Sequence, residues 1–439
     1  MAYPDWTVDT FAALTASDCA DALARTVLVV TDELDGVAEV GETLIGLGYR
    51  VQVAVARDGA VRGMPEGAPD AVLLCLNRYL ADAKPLVRAL KRHLAAPLVP
   101  FIGYLAPHDI MPEGFDSILI RPAHKRQIAG RVDATIRLQA MQHEYLRRTQ
   151  VLRLAFDEEH RLAPDALGRQ LRVLFIGTAK PDFTVVLNAL RARNAEVTAA
   201  FTSFTAFDYL HGREFDAVIV DAVENSEPAS SILESMGRNV RLHHVPKVVL
   251  VGEGGRSDVP KALLEKATDV ISADCELAEL TGRVLEPASY HLVHSQLRAE
   301  FGGIGGGNVR DPDTGLYGKA YIDAYLDFLQ TEGEARTVCE IKLSPSAGFA
   351  VAEPFVRVAM AQAGGLLSGL VRVNDLVART GFDSFSIAVA PMAADHLAGM
   401  CERVENVIEC AAFESGVKGG GPFTLTVDVR VVGDRKEAA

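Results

Sequence analysis

Two short segments near the C-terminal end of the chain carry side chains that could bind an anionic ligand. The first is Arg372-Val-Asn-Asp375. A guanidinium can stack on a purine or donate two parallel hydrogen bonds to a base edge or a phosphate, and a nearby carboxylate can accept from base N–H groups. The second is Gly381-Phe-Asp-Ser-Phe385, at a predicted hairpin. A glycine in such a turn lets a phosphate approach backbone N–H groups closely.

The elements around these segments are predicted to form a mixed α/β domain. In chain order they are a helix after Asp311, a strand at 337–343, a helix at 351–367, a hairpin at Gly381, a strand at 386–390, a helix at 396–413 and a strand at 423–432. The two segments therefore fall among alternating helices and strands, as expected for a site held by a rigid scaffold.

Two earlier parts of the chain share one pattern, opening at 25–33 and 171–179. Each contains about five short Val/Ile/Leu-rich strands that alternate with helices. Continuous apolar strands are buried on both faces of a parallel sheet, so each part is predicted to be a doubly wound, flavodoxin-like α/β domain. The recurrence indicates one unit used twice. Between them, 137–162 is predicted to be a long charged helix and linker, with Arg147, Arg148 and Arg153 on a solvated face.

Composition narrows the classes of function. The chain has 439 residues, which predicts several domains, and a formal net charge of -14, which disfavours nucleic acid or an anionic membrane as a partner. No apolar run approaches the ~20 residues that span a bilayer, and the acidic N-terminus is unlike a secretory signal. The six cysteines lack metal-type spacing. We therefore expect a cytoplasmic protein with reduced cysteines and neither a metal nor a cofactor.

The two repeated parts resemble receiver domains of response regulators, in strand order and in the prolines before the fourth strand. The resemblance implies an Asp that accepts phosphate, acidic residues that hold a divalent cation, and a Lys that binds the phosphoryl group. In the first copy the Asp position holds Cys75 and the Lys position holds Arg121. In the second, Asp221 is present, but the acidic positions hold Gly177 and Thr178. In the first copy the acidic positions hold Thr31, Asp32 and Glu33, and the Thr/Ser position that also binds the phosphoryl group holds Leu105. In the second copy the Thr/Ser position holds Val251 and the Lys position holds Ala273. Asp221 is therefore predicted to be a solvated carboxylate, with phosphorylation there as the alternative.

The C-terminal part resembles a GGDEF domain, the diguanylate cyclase fold. The resemblance rests on DPDTGLYGKAY at 311–321, EIK at 340–342, RVND at 372–375 and GFDSF at 381–385, in the family's order. It implies that Glu340 and Asp383 occupy metal-binding positions. Ser384 replaces the signature glutamate, and Phe382 replaces a glycine that leaves room for phosphate.

Other positions of the implied cyclase site also depart from the family. Lys342 replaces an acid, and the two guanine-reading positions hold Gly348 and Arg357. A guanidinium cannot accept from guanine N–H groups as a carboxylate does. The family's basic C-terminal helix is also expected to be missing before Ala439. We therefore predict no enzymatic activity, and the alternative is a weak or conditional cyclase in which Asp383 and Glu340 still hold one metal ion.

The resemblance implies a second site, where the family binds cyclic di-GMP through Arg-x-x-Asp. Arg372 and Asp375 match that motif, and Arg403, in Cys-Glu-Arg at 401–403, matches a third contact. The alternative is that Arg372 and Asp375 form only a surface salt bridge. The preferred hypothesis is that cyclic di-GMP binds at Arg372, Asp375 and Arg403.

The predicted architecture is two receiver-like domains followed by a degenerate GGDEF domain. The predicted boundaries are an N-terminal segment 1–22, receiver-like domain 23–145, linker helix 146–170, receiver-like domain 171–290, connector 291–310 and GGDEF-like domain 311–439. The resemblance implies a non-enzymatic cyclic di-GMP effector that recruits protein partners through its receiver-like domains. It further implies an adaptor for regulated proteolysis at the cell pole during the cell cycle, and a homodimer. A phospho-regulated response regulator is the remaining alternative.

Overall fold

The computed structural model describes residues 25–33, 37–57, 60–65, 67–76, 83–94, 99–106, 114–160, 168–179, 181–239, 241–252, 259–346, 351–415 and 421–432. The chain divides into two compact units. The N-terminal unit comprises Met1–Gln139 and Ala163–Gln296, and the C-terminal unit comprises Ala140–Leu162 and Leu297–Ala439. The predicted segment 1–22 lies outside the described residues.

The first sheet of the N-terminal unit has six strands in the order β3-β2-β1-β4-β5-β6. All neighbours are parallel except β3, which pairs antiparallel with β2 at the edge. The other five strands follow the flavodoxin-like doubly wound order. The elements are β1 (Thr26–Thr31), α1 (Val37–Ile45), β2 (Arg50–Arg57), β3 (Ala60–Arg62), β4 (Ala71–Cys75), α2 (Ala83–Leu94), β5 (Phe101–Leu105), β6 (Ser117–Ile120) and α3 (Lys125–Phe156).

The second sheet has five parallel strands in the order β11-β10-β9-β7-β8, the same topology read from its other edge. The two doubly wound domains predicted from the apolar runs are thus confirmed. The elements are β7 (Leu171–Ile176), α4 (Pro181–Ala192), β8 (Ala195–Ala200), α5 (Ser203–Gly212), β9 (Ala217–Asp221), α6 (Ser226–Arg238), β10 (Lys247–Val251), α7 (Lys261–Lys266), β11 (Asp269–Ser272) and α8 (Leu277–Gly303).

Helices α3 and α8 connect the two halves of the N-terminal unit through a partly buried ion pair. Glu286 on α8 accepts a hydrogen bond from the Arg131 guanidinium on α3. The same carboxylate accepts from the Ser117 hydroxyl at 2.7 Å and from the Ile118 N–H at 3.1 Å. A buried guanidinium needs such a partner, because unpaired it would lose its solvation without compensation. Glu286 therefore links helix α8 to β6, the last strand of the first sheet.

Lys247, at the start of β10, is a buried cation whose titration gives a testable pH dependence. Its ammonium donates to the carbonyls of His243 at 2.7 Å and Val245 at 3.0 Å, and burial lowers the pKa of Lys247 from 10.5 to about 8. Between those values the unfolded chain binds more protons than the folded one, so stability rises with pH. The difference corresponds to roughly 3 kcal/mol.

Replacing Lys247 by Met should therefore flatten the rise in unfolding free energy of the N-terminal unit between about pH 8 and pH 10. Urea unfolding of the full chain at several pH values measures this directly. Lys261→Met is the matched control, because that lysine is 79% exposed and its removal should leave the wild-type slope. An unchanged slope in Lys247→Met would show that other groups cause the pH dependence.

The third sheet, in the C-terminal unit, has the order β12-β14-β15-β13-β16. Strand β13 lies antiparallel to both β15 and β16, β14 lies antiparallel to β15, and β12 is parallel to β14. The predicted mixed α/β domain is confirmed. The elements are β12 (Tyr317–Gly318), α9 (Lys319–Thr331), β13 (Thr337–Pro345), α10 (Glu353–Leu370), β14 (Leu376–Arg379), β15 (Ser384–Val389), α11 (Ala394–Cys410) and β16 (Leu425–Val432).

One face of this sheet packs against α10 and α11 in an apolar core. Phe385 and Ile387 of β15 contribute to the core, together with Met360 on α10 and Val404 on α11. Side chains of β13 alternate between this core and the surface, so that Glu340 is exposed while its neighbours along the strand are buried. This period of two places Glu340 on the face of the sheet opposite α10 and α11.

The C-terminal unit also includes part of helix α3, from Ala140 to Phe156. The predicted boundary at residue 145 falls inside this helix. The prediction of a solvated basic face holds for Arg153, which is exposed, but is wrong for Arg148, which is only 3% exposed. Arg148 is buried because the aromatic rings of Phe301 and Tyr317, which are far away in the sequence, lie against its guanidinium. None of the described helices is long and apolar enough to cross a membrane.

Candidate ligand-binding site

The segment Arg372–Asp375 forms a tight loop between α10 and β14. The Arg372 N–H donates to Asp375 Oδ2 at 2.8 Å, and the Asp375 N–H donates to the Arg372 carbonyl at 2.9 Å. The carboxylate is buried by this turn, whereas the Arg372 side chain is exposed. The hydrogen bond that Asp375 accepts from Arg372 therefore comes from the backbone, and the guanidinium extends outward.

The structure brings the three predicted binding residues to one cavity of about 290 Å³. Arg403 reaches it from α11, where its guanidinium donates to the Leu370 carbonyl at 3.3 Å. The cavity is at the lower end of the size range of small-molecule sites. The guanidinium groups of Arg372 and Arg403 and the carboxylate of Asp375 thus line a single space, where guanidinium groups can bind phosphate and a carboxylate can accept from the N–H groups of a base.

Sequence reasoning missed the other residues of helix α11 that line this cavity. His396, Gly399, Met400 and Arg403 follow the spacing i, i+3, i+4 and i+7, which places them on one face of the helix. That spacing could have identified them once Arg403 was chosen. The remaining lining residues are Val371, Met392 and Asp395.

Asp375 has an unusual environment for a carboxylate. Burial raises its pKa, against the hydrogen bond from the Arg372 N–H and the positive charges of Arg372 and Arg148, and the nearby Glu144 raises it further. The folded protein therefore holds a proton on this group at a higher pH than the unfolded chain does. The free energy of unfolding therefore falls as the pH rises above 3.8 through the raised pKa of Asp375. Ionised Asp375 thus destabilises the fold, and a ligand that donates hydrogen bonds to it would stabilise the ionised form.

A buried polar cluster lies behind the loop, within the C-terminal unit. Glu144 pairs with Arg148 at 2.7 Å and with Arg336 at 3.3 Å, and the Tyr325 hydroxyl donates to this carboxylate, both of whose oxygens lie about 3 Å from it. Arg148 Nη2 in turn lies 3.3 Å from the Val373 carbonyl and 3.1 Å from the Asn374 carbonyl. The cluster therefore contacts the backbone between the two predicted ligand-binding residues.

The predicted remnants of a cyclase site do not all face one space. Glu340 and Ser384 line a different cavity of about 530 Å³, together with Lys342. Asp383 is not among the residues lining it, and its carboxylate accepts from the Ser384 hydroxyl at 2.9 Å. Among the described residues no group of three or more His, Cys, Asp or Glu side chains is arranged to hold a metal ion. Gly348 lies outside the described residues.

The hairpin turn is occupied by the protein's own arginine. Buried Arg379 donates to the carbonyls of Gly381 at 3.1 Å and Phe382 at 2.9 Å, and pairs with Asp311 and Asp313 at 3.0 Å each. The Phe382 ring is 53% exposed and lies 5.8 Å from that guanidinium. The turn that would face nucleotide phosphates in a cyclase is thus bound to two aspartates through Arg379.

Arg357, in one of the implied guanine-reading positions, is also paired. Its Nε and Nη2 each lie 2.9 Å from a carboxylate oxygen of Asp313, in a bidentate arrangement. The pairing lowers the pKa of Asp313 through hydrogen bonds from Arg357 and Arg379. Donor groups and a shared carboxylate therefore occupy the position where guanine recognition would need a free acceptor.

The first receiver-like sheet lacks a phosphate acceptor at the end of β4. Cys75 is buried, and desolvation raises the pKa of its thiol to about 12. Arg121, in the Lys position, donates to the Leu76 carbonyl at 2.6 Å and lies 5.5 Å from the Tyr104 ring centroid. A neutral buried thiol beside an engaged guanidinium is not equipped for phosphoryl transfer.

In the second sheet, Asp221 lies at the end of β9. Its carboxylate accepts from the Val223 N–H at 3.0 Å and from the Thr178 hydroxyl at 3.4 Å. At Gly177 a β-carbon would lie 2.4 Å from Cβ of Asp221, so this position has no room for the acidic side chain that a receiver uses to hold a cation. The hydrogen bonds from Val223 and Thr178 therefore stabilise the Asp221 carboxylate.

No protein-family model matches the sequence, and no curated protein matches it. Solved structures resemble separate parts of the chain. The receiver domain of a sensor histidine kinase from Pseudomonas aeruginosa is 18% identical, covering 26% of this chain and 98% of that one, with a TM-score of 0.24. The FimX GGDEF domain from the same organism is 20% identical, covering 28% and 80%, with a TM-score of 0.25.

A third solved structure is the coiled coil and GGDEF domain of DgcB from Caulobacter crescentus, solved in complex with c-di-GMP. It is 14% identical, covering 33% of this chain and 79% of that one, with a TM-score of 0.26. The fold of the chain is established by the strand orders given above.

Proposed function

We propose that this protein is a cyclic di-GMP effector that binds the dinucleotide in the cavity lined by Arg372, Asp375 and Arg403. The observation that carries the proposal is the convergence of these three side chains on one cavity, two from the loop between α10 and β14 and the third from helix α11. A guanidinium that extends outward can stack on guanine or bind its O6 and N7 atoms. Asp375 can accept from the guanine N1–H and N2–H₂ groups.

The two guanidinium groups of the cavity suit the phosphates of this ligand. Arg372 and Arg403 supply two exposed cations for two phosphates, and their ion pairs with phosphate would be charge-assisted. The chain as a whole is acidic, with a formal net charge of -14, so general attraction to polyanions is weak. Binding would therefore depend on the local geometry of these residues and would be selective for a guanine dinucleotide.

Calorimetric titration of the full chain with cyclic di-GMP tests the proposal. We expect binding at micromolar or lower concentration. Cyclic di-AMP is the matched control ligand, since adenine presents an amino group where guanine presents O6 and lacks the N1–H donor that Asp375 would bind. Absence of heat with cyclic di-GMP at micromolar concentration would refute the proposed function.

We also propose that the protein is not a diguanylate cyclase. Three features support this: Arg379 engages the hairpin turn, Arg357 is paired with Asp313, and Lys342 stands beside Glu340 in a site that would need a second acid. In-line attack on the GTP α-phosphate requires cations held close to the phosphates. Lys342 has a positive charge where a metal ion would need a carboxylate, and the donors of Arg357 and Arg379 are already paired within the protein.

Incubation with GTP and either Mg²⁺ or Mn²⁺ should yield no cyclic di-GMP above a heat-killed control. The product should be measured by mass spectrometry, because a weak cyclase would retain its own product. Arg372→Ala should be assayed in parallel, since a cyclase inhibited by product at that site would become active in this variant. Product formation by either protein would establish the weak or conditional cyclase.

The proposed output is recruitment of protein partners through the two receiver-like domains. Support comes from the state of their phosphorylation positions, where Cys75 is buried and Asp221 has no room for an acidic neighbour at Gly177. We propose that such domains serve for docking, for homodimerisation and for an adaptor role in regulated proteolysis at the cell pole. Affinity capture with and without cyclic di-GMP, compared with Arg372→Ala, tests whether partners depend on the ligand.

A further inference from the structure

We infer that Arg148 is a positioning residue for the proposed ligand site, and that it fixes the loop carrying Arg372 and Asp375. The inference rests on the proposed function. Arg148 lies on helix α3, more than 220 residues before this loop, and is 3% exposed. It does not line the cavity, so its effect on a ligand would act through the loop backbone.

Two hydrogen bonds of Arg148 reach the middle of the loop. Its Nη2 atom lies 3.3 Å from the Val373 carbonyl and 3.1 Å from the Asn374 carbonyl. These two carbonyls lie between the two ligand-binding residues, so a shift of either would move both side chains. Charge-assisted hydrogen bonds are stronger than neutral ones, and buried ones are expensive to lose.

The position of Arg148 is itself fixed from three directions. Glu144 accepts from its Nε at 2.7 Å, the Tyr321 hydroxyl donates to its carbonyl at 2.9 Å, and its guanidinium lies 4.7 Å from the Phe301 ring centroid. A side chain held this way presents a rigid donor, and rigid support is what keeps a binding residue in its productive geometry.

A coupling between the ligand and helix α3 follows by reciprocity. If packing of Ala140–Phe156 against the rest of the C-terminal unit holds the loop in its binding geometry, a ligand in the cavity must stabilise that packing by the same factor. The helical segment should therefore exchange its amide hydrogens more slowly when cyclic di-GMP is bound. Removal of Arg148 should abolish this coupling between the ligand and helix α3, although the residues that line the cavity are unchanged.

The experiment compares Arg148→Met with Arg336→Met in the full chain. Both substitutions remove a buried partner of Glu144, but Arg336 makes no hydrogen bond to the loop in the described structure. We expect cyclic di-GMP affinity to fall about tenfold in Arg148→Met and to stay within about twofold of wild type in Arg336→Met. Arg148→Lys, which keeps the charge, should recover part of the loss.

Hydrogen exchange provides the readout that general destabilisation would not produce. Without ligand, amides of residues 372–376 should exchange faster in Arg148→Met than in Arg336→Met. Ligand-induced protection of residues 144–152 should disappear only in Arg148→Met. Wild-type affinity in Arg148→Met, or equal losses in both variants, would overturn the inference alone. If the wild-type protein does not bind cyclic di-GMP, the proposed function fails and the inference fails with it.

Discussion

Replacing Glu144 by Ala should lower the unfolding free energy of the C-terminal unit by about 3–5 kcal/mol. The Glu144 side chain is 1% exposed and is the shared acidic partner of Arg148 and Arg336. Its removal leaves two buried guanidinium groups without that partner and the Tyr325 hydroxyl without its acceptor. The cost of an uncompensated buried charge exceeds the net gain of the original pair, so the effect should be large.

Hydrogen exchange of strand β13 in the full chain measures this effect, because the slowest amides report the opening of the whole unit. Glu334→Ala is the control. Glu334 pairs with Arg147 and Arg336, but its side chain is 37% exposed, so its removal should cost less than about 1 kcal/mol. Equal exchange in Glu144→Ala and the wild type would mean that the two arginines find other partners.

The fold was predictable because it depends on local patterns. Strand β1 has the apolar run Val27–Val30 and strand β7 the run Val173–Ile176, and such runs indicate parallel strands covered on both faces. In β13, Glu340 and Lys342 alternate with buried residues, and this alternation indicates a strand with one face packed and the other exposed. Periodicity of this kind is visible in a single segment and needs no knowledge of distant partners.

The burial of charged residues was not predictable by the same means. Glu144 and Arg148 are four residues apart on a charged helix, a spacing equally typical of a solvated ion pair. They are buried because Tyr321 and Tyr325, 173 and 181 residues away, pack against them. Nothing in the sequence of the helix itself distinguishes the two cases.

In the candidate sites, too, residues that belong to a motif were predictable, whereas contacts between residues far apart in the sequence were not. Arg372, Asp375 and Arg403 could be chosen from motif positions, and the structure places them at one cavity. The pairing of Arg379 with Asp311 and Asp313 was missed, because these partners lie 68 and 66 residues away. Residue types therefore led to the prediction of a ligand site, whereas the engagement of the hairpin by Arg379 depends on contacts between residues far apart in the sequence.

Replacing Arg372 by Ala should weaken cyclic di-GMP binding by roughly thirty- to a hundredfold, which corresponds to about 2–3 kcal/mol. The exposed guanidinium is free to form a bidentate contact with guanine or phosphate, and Ala cannot replace either. The Arg372 N–H that holds Asp375 belongs to the backbone, so the loop should keep its turn in this variant. The loss should therefore appear in affinity with little change in thermal stability.

Asp375→Ala should lose nearly as much affinity, because guanine donors would be left unpaired, and Ser384→Ala should change little, because Ser384 lines the other cavity. Calorimetry on the three variants measures these differences. Affinity in the wild type should also fall on acidification, because the raised pKa of Asp375 lets the proton neutralise the acceptor earlier than on an exposed aspartate. Wild-type binding by Arg372→Ala would place the ligand elsewhere. A loss of affinity in Ser384→Ala comparable to that in Asp375→Ala would instead point to the hairpin cavity, and would reopen the assignment of the two sites.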